Sequence, residues 1–271
     1  MRLSNTHFDS NQPFWQDYLP YLDKLAGASF PNCDQLNSLL EVDVRTAGGA
    51  AIRFVPSAEL DDAAYEHRIY TSGQVSTRPD SWHDLFNALV WMRFPRLKIA
   101  INSVHYHSTE QTEPGSRGAQ RDALTLFDES GVIVFSQYRQ PLEALAQRDW
   151  ASIFQTDEIQ PQAQYVICGH AMLEKYLSPY KAMTAKALLV KVDADTMKLP
   201  RENLLADLDN HLAELLLAGE ILTTPACLTP LPLAGIPGWW PDDQQDEDFY
   251  ADQDVFRPAR KSLTPVSIIE L

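Results

Sequence analysis

The sequence predicts an α+β fold. It is expected to form a single domain over residues 1–271, with a central helix pair packed on a small, mostly antiparallel sheet. A proline-rich C-terminal arm, 223–271, is expected to lie ordered across the body. Three observations carry this. Helical and strand periodicities alternate along the 271 residues without the regular βαβ rhythm of a doubly wound sheet. A composition of 45% hydrophobic and 22% charged residues is that of a globular chain able to bury a real core. Residues 82–91 crowd large apolar side chains together with histidine and asparagine into one helical segment, which marks the central core helix.

In chain order, residues 13–26 repeat Phe14, Trp15, Tyr18, Leu19, Leu22 and Leu25 at helical spacing, with Pro20 as a kink. A second helix over 34–40 takes Asp34 as its N-cap. Residues 52–55 alternate like a strand, and 65–70 form another, closed by Ser72 and Gly73. The core helix starts at Asp80 or Ser81, and Pro95 separates it from its continuation.

After a loop over 113–120, residues 123–127 and 132–135 flank Asp128, Glu129, Ser130 and Gly131 as a hairpin. Pro141 opens a helix reaching about residue 154. A buried strand at 165–168 leads through Gly169 and His170 into a short helix, and 187–192 is a further strand. Residues 201–218 form an amphipathic helix ended by Gly219. Beyond 223 the prolines break any long element. Leu231, Ile236, Trp239, Trp240, Phe249 and Phe256 would be costly to leave in water, so the arm must pack down.

A net charge of −15 and a pI near 4.8 argue against a surface that neutralises nucleic-acid phosphates. Room remains for a local basic pocket and a small anionic ligand. Cys33, Cys168 and Cys227 lack metal-knuckle spacing and suit a reducing compartment. The N-terminal stretch has no signal-peptide pattern, and no apolar run reaches the roughly 18 residues of a membrane span. A cytoplasmic protein is expected. Dinucleotide, Walker and nucleophile-elbow motifs are all missing from the sequence.

Several motifs resemble a bacterial family known only as a domain of unknown function. They are the run Trp82 to Trp91 followed by Phe94, Pro95 and Arg96, then Arg121 to Asp128, then Gly235 to Pro241, with Phe249, Tyr250 and Val255 to Pro258. The resemblance spans most of the chain and implies a single domain. It brings no catalytic residue, substrate or cofactor with it.

Candidate chemistry therefore comes from the residues. His83 and Asn87 share one face of the core helix and are the candidate catalytic pair. Asp84 is better explained as a first-turn acid that complements the helix dipole. Lys98, Asn102 and His105 share a face of the next helix, and His105 with His107 are candidate metal ligands. Arg78, Arg117 and Arg121, with Asp122, are the candidate ligand-binding residues, because converging arginines make an anion site.

The His83, Asn87, His105 series resembles the His-Asn-His set of small metal-finger nucleases, although the helical setting of His83 and the acidic chain depart from it. Together these residues point to a hydrolase that uses a divalent metal on a phosphate-bearing or anionic ligand. The alternative is a non-catalytic binding protein whose Trp82, Trp91, Trp239 and Trp240 form a core and a partner surface. Cys168 beside His170 reads as a buried structural cysteine.

Overall fold

Prolines and glycines punctuate the chain into its elements. The computed structural model describes residues 11–27, 29–40, 44–60, 64–111, 118–155, 162–259 and 266–271. A 3-10 turn, Pro13–Trp15, precedes α1 (Leu19–Leu25), and Pro20 lies in the first turn of α1, where a missing N–H is harmless. Then follow α2 (Cys33–Asn37), β1 (Arg53–Pro56), α3 (Tyr65–Ser72) and β2 (Gln74–Thr77). The middle of the chain holds α4 (Trp82–Arg93), α5 (Pro95–Gln111), α6 (Ala119–Ser130), β3 (Gly131–Ser136), α7 (Arg139–Gln147) and α8 (Trp150–Phe154). It closes with β4 (Gln164–Ile167), α9 (His170–Lys175), β5 (Thr184–Lys191), α10 (Arg201–Leu217), β6 (Thr229–Pro232), α11 (Glu247–Ala251) and β7 (Ile269–Glu270). No helix among the described residues is long and apolar enough to cross a membrane.

The α+β class holds, with differences that have local causes. The expected hairpin around residue 128 is a helix followed by a strand, α6 then β3. Ala123, Leu124 and Phe127 are the buried positions of α6, a helical spacing that a five-residue apolar run disguises as a strand. The expected strand at 65–70 is α3, which turns Ile69 inward and ends where Gly73 takes φ +70°. Asn32, not Asp34, caps α2: its side chain accepts from the Gln35 amide at 2.9 Å, and the Gln35 side chain accepts from the Asn32 amide at 3.1 Å. The helix expected from Pro141 to residue 154 is two, α7 and α8, broken where Arg148 adopts φ 56°.

The main sheet is mixed where a mostly antiparallel one was expected. Its order is β4-β3-β5-β6 with β7 also beside β5. β3 runs antiparallel to β4 but parallel to β5, β5 is antiparallel to β6 and parallel to β7, and β1 pairs parallel with β2 in a separate sheet. Every residue of β3 is buried, as expected of an interior strand covered on both faces. Side chains close the outer edge of β4: Arg201 donates to the Tyr165 carbonyl at 3.0 Å and Tyr18 to the Ile167 carbonyl at 2.5 Å. Pro230 and Pro232 sit on the edge strand β6, the place in a sheet where a missing N–H costs least.

The helix pair does not rest on the sheet as its main support. α4 packs chiefly on α9 and α5 on α10, while α6 and α7 lie against β3 and β5. Phe94, which precedes α5, offers no capping oxygen. Asp209 of α10 takes that role, accepting from the Arg96 and Leu97 amides at 2.9 and 2.8 Å. Leu231, Leu233, Ile236, Trp239, Phe249 and Phe256 of the arm are all buried. Each such side chain is worth about 1.5–3 kcal/mol relative to exposure.

One close approach positions everything that follows. The α6–β3 junction and the β4–α9 junction meet back to back, with the amides of Cys168 and Gly169 both donating to the Gly131 carbonyl, at 3.0 and 2.8 Å. A Cβ on Gly169 would press into backbone atoms of Gly131 and Ser130, and one on Gly131 into the Phe127 carbonyl. Gly169→Ala is therefore expected to lower stability by about 1–3 kcal/mol, the range for overpacking. Urea denaturation measures it, and an unchanged midpoint would refute the contact.

Candidate functional site

The first turn of α4 is set by Ser81, whose hydroxyl accepts from the Asp84 amide at 3.3 Å. Asp84 then reaches back to Arg78, accepting from its backbone amide at 2.6 Å and from Nε and Nη2 at 2.9 and 2.8 Å. Burial raises the Asp84 carboxyl, but its hydrogen bonds to Arg78 and the Arg78 charge overcome this and leave it below the usual carboxylate range. Asp84 is thus both a first-turn acid and the clamp that fixes Arg78.

His83, one residue earlier, projects into a cavity of about 370 Å³. Tyr65 and Glu66 of α3, Asn87 of α4 and His105 of α5 line the same cavity, together with Arg78. Arg121, Thr125, Asp128 and Glu129 of α6 and His170 of α9 complete its polar wall. The His83 and His170 rings meet edge to face with Nε2 atoms 3.1 Å apart. Behind them stand carboxylates: Glu174 Oε2 lies 3.1 Å from His83 Nδ1, and Asp128 Oδ2 lies 3.8 Å from His170 Nδ1. Glu129 Oε2 is 3.6 Å from His170 Nε2. Among the described residues, His83, Glu129 and His170 form a group whose donor atoms all lie within 4.8 Å of one another.

Beneath this group runs a buried polar network. Lys98, 5% exposed, donates to Asn87 Oδ1 at 3.0 Å and to Asp128 Oδ1 at 2.5 Å, with its ammonium 5.4 Å from the centre of the Trp91 ring. Burial pushes Asp128 up, but the Lys98 charge and then His170 bring it below its ordinary value. Asn87 passes the contact on, its Nδ2 donating to the Tyr65 hydroxyl at 3.0 Å. Asn102 donates to the Glu66 carboxylate at 2.6 Å, and burial still leaves that carboxyl raised. Burial lowers His170 and His105 to about 4 each, so both rings are neutral at pH 7.

Of the residues singled out from sequence, His83, Asn87, His105, Arg78 and Arg121 share this cavity. Asp122 is on α6 but does not line it, and Arg117 lies outside the described residues. His105 and His107 do not form a ligand pair. Two residues apart on α5 they diverge, and His107 is exposed, with Nδ1 2.8 Å from the Ser103 carbonyl and its ring against Tyr70. Asn87 is a structural link, because both ends of its amide are engaged. Trp91 and Trp239 are core, with Trp82 and Trp240 half-buried at its margin.

Sequence reasoning missed Glu129, Asp128, His170, Glu174, Tyr65 and Glu66. The signal for the acids was present: Arg121, Thr125, Asp128 and Glu129 recur on one face of a helix opposite Ala123, Leu124 and Phe127. Reading that stretch as a hairpin turn hid it.

His105 makes the site pH-sensitive. It binds a proton near pH 6.5 when unfolded but only near 4 when folded, so between those values the unfolded chain holds more protons, and stability is lost as the pH drops from 6.5 towards 4. A shift of this size carries up to about 3 kcal/mol. His105→Gln is expected to remove that share of the stability loss between pH 6.5 and 4, as read from denaturation midpoints across the range. A variant with the wild-type pH slope would show His105 to be innocent.

Residues 52–260, well over half of the chain, match the family described as "Protein of unknown function (DUF3025)". No curated protein and no solved structure matches the chain.

Proposed function

The chain belongs to the DUF3025 family, and we propose that in it His83, Glu129 and His170 hold a divalent metal ion that serves hydrolysis of a phosphate-bearing or otherwise anionic substrate. One observation carries this reading: two imidazole Nε2 atoms face each other at 3.1 Å, with a carboxylate on the far side of each ring. Glu174 fixes the proton of His83 on Nδ1, while Asp128, at 3.8 Å beyond hydrogen-bond reach, favours a proton on His170 Nδ1 by charge alone. With both protons so placed, two lone pairs confront one another, and a cation between them relieves the repulsion.

The spacing suits one ion. Two nitrogens at about 2.0–2.1 Å from a tetrahedral zinc lie roughly 3.3 Å apart. Two histidines and a glutamate leave a coordination position open, the pattern of catalytic rather than structural zinc. An ion there would polarise a bound oxygen and lower the pKa of water, which is the chemistry hydrolysis needs.

The remaining residues fit an anionic substrate. Arg121 lines the cavity with a buried Nε that has no hydrogen-bond partner among the described residues, and Arg78 is held at its rim by Asp84. His83 is a ligand in this scheme, since Glu174 fixes its Nδ1 and the metal position its Nε2. The net charge of −15 favours a small anion over a polyanion, and three unpaired cysteines fit a cytoplasmic setting.

Metal analysis of the zinc-loaded, dialysed protein should find about one equivalent, lost in His83→Ala and in His170→Ala. A wild-type content near zero would end the reading. Glu174→Gln should keep the fold and weaken zinc affinity roughly 10- to 100-fold, the effect of losing a carboxylate behind a ligating histidine. Hydrolysis of bis(p-nitrophenyl) phosphate by the zinc-loaded protein, abolished by a chelator, tests the reaction class.

A further inference from the structure

Lys98 decides the direction of a proton some distance away. An ammonium group can only donate, so the amide 3.0 Å from it must present its oxygen, and Asn87 Oδ1 is thereby assigned. The opposite end of that amide, Nδ2, then donates to the Tyr65 hydroxyl at 3.0 Å. Tyr65 accepts this bond through oxygen, which leaves its own O–H to donate elsewhere. Among the described residues no acceptor takes that proton. Tyr65 lines the cavity that holds His83, His170 and Arg121. The relay is rigid at its root, because Lys98 is buried and also bound to Asp128 at 2.5 Å.

We infer that Tyr65 is a hydrogen-bond donor to an oxygen of the anionic ligand in this cavity, its proton aimed there by the Lys98–Asn87 relay. Arg121 supplies the neighbouring positive charge, and Asn87 is a positioning residue that never touches the ligand. Tyr65 is 39% exposed, but desolvation of its hydroxyl, aided by the nearby Glu66 charge, raises its pKa well above its ordinary value, so the phenol stays protonated and able to donate. The inference rests on the anion-binding reading given above, and it names the group that recognises the anion.

Asn87→Asp is nearly isosteric and reverses the relay. A carboxylate accepts from Lys98 with one oxygen and from Tyr65 with the other, which turns the phenol proton away from the cavity. The test is calorimetric titration of the zinc-loaded protein with inorganic phosphate, with zinc content and circular dichroism confirming that each variant is folded and loaded. Tyr65→Phe is expected to weaken phosphate binding at least about tenfold, the effect of one hydrogen bond to a charged acceptor. Asn87→Asp is expected to weaken it comparably, and by clearly less in the Tyr65→Phe background, where only its added charge can act.

Phosphate binding by Tyr65→Phe as tight as wild type would overturn the donor. An Asn87→Asp penalty equal in both backgrounds would overturn the relay. If the zinc-loaded wild type itself binds no phosphate, the anion reading fails first and takes this inference with it. That outcome is distinguishable because it appears before any substitution.

Discussion

The contact between the Ser130–Gly131 turn and the Cys168–Gly169 turn is the constraint on which the rest of the molecule hangs. Side chains larger than hydrogen at Gly131 or Gly169 would drive Cβ atoms into backbone, so the two turns can meet only as glycines. Their meeting brings the C-terminus of α6 against the start of α9. It therefore sets Glu129 beside His170, although the two are 41 positions apart in the chain. α4 packs on α9 and adds His83 to the same corner. Three helices with little else in common thus converge on one small volume.

A buried ammonium stabilises that convergence and also constrains it. Taking Lys98 out of water is tolerable only because Asp128, Asn87 and the Trp91 ring surround it. Removing any partner would leave a buried charge short of compensation, so α4, α5 and α6 are locked to one another through a single cation. The same network polarises the cavity. Asp128 stays ionised because of Lys98, while Glu66, His105 and His170 are shifted by burial toward their neutral forms. A cavity with charged and neutral titratable groups so close together is a common property of sites that bind or transform ligands.

Much of this was legible from local pattern. The core helix 82–91 and its break at Pro95 were plain, as were the strands at 52–55, 165–168 and 187–192 and the helix ended by Gly219, because each rests on periodicity or on a residue with restricted backbone freedom. His83 stood out because a histidine and an asparagine share a face beside an apolar stripe. The same reasoning misread residues 65–70 and 123–127. Both are short apolar runs in which the helical period of 3.6 and the strand period of 2 cannot be told apart without knowing what each side chain packs against.

The sequence by itself determined the fold class, most element boundaries, the burial of the proline-rich arm and half of the cavity wall. These follow from local stereochemistry and from the cost of leaving aromatic surface in water. Tertiary structure alone decided that the sheet is mixed, that Asp209 caps a helix more than 100 residues away, and that His170 and Glu129 face His83. The reason is physical: a cap or a ligand set is satisfied by whichever group the packing delivers, and the chain carries no local signal of which distant residue that is.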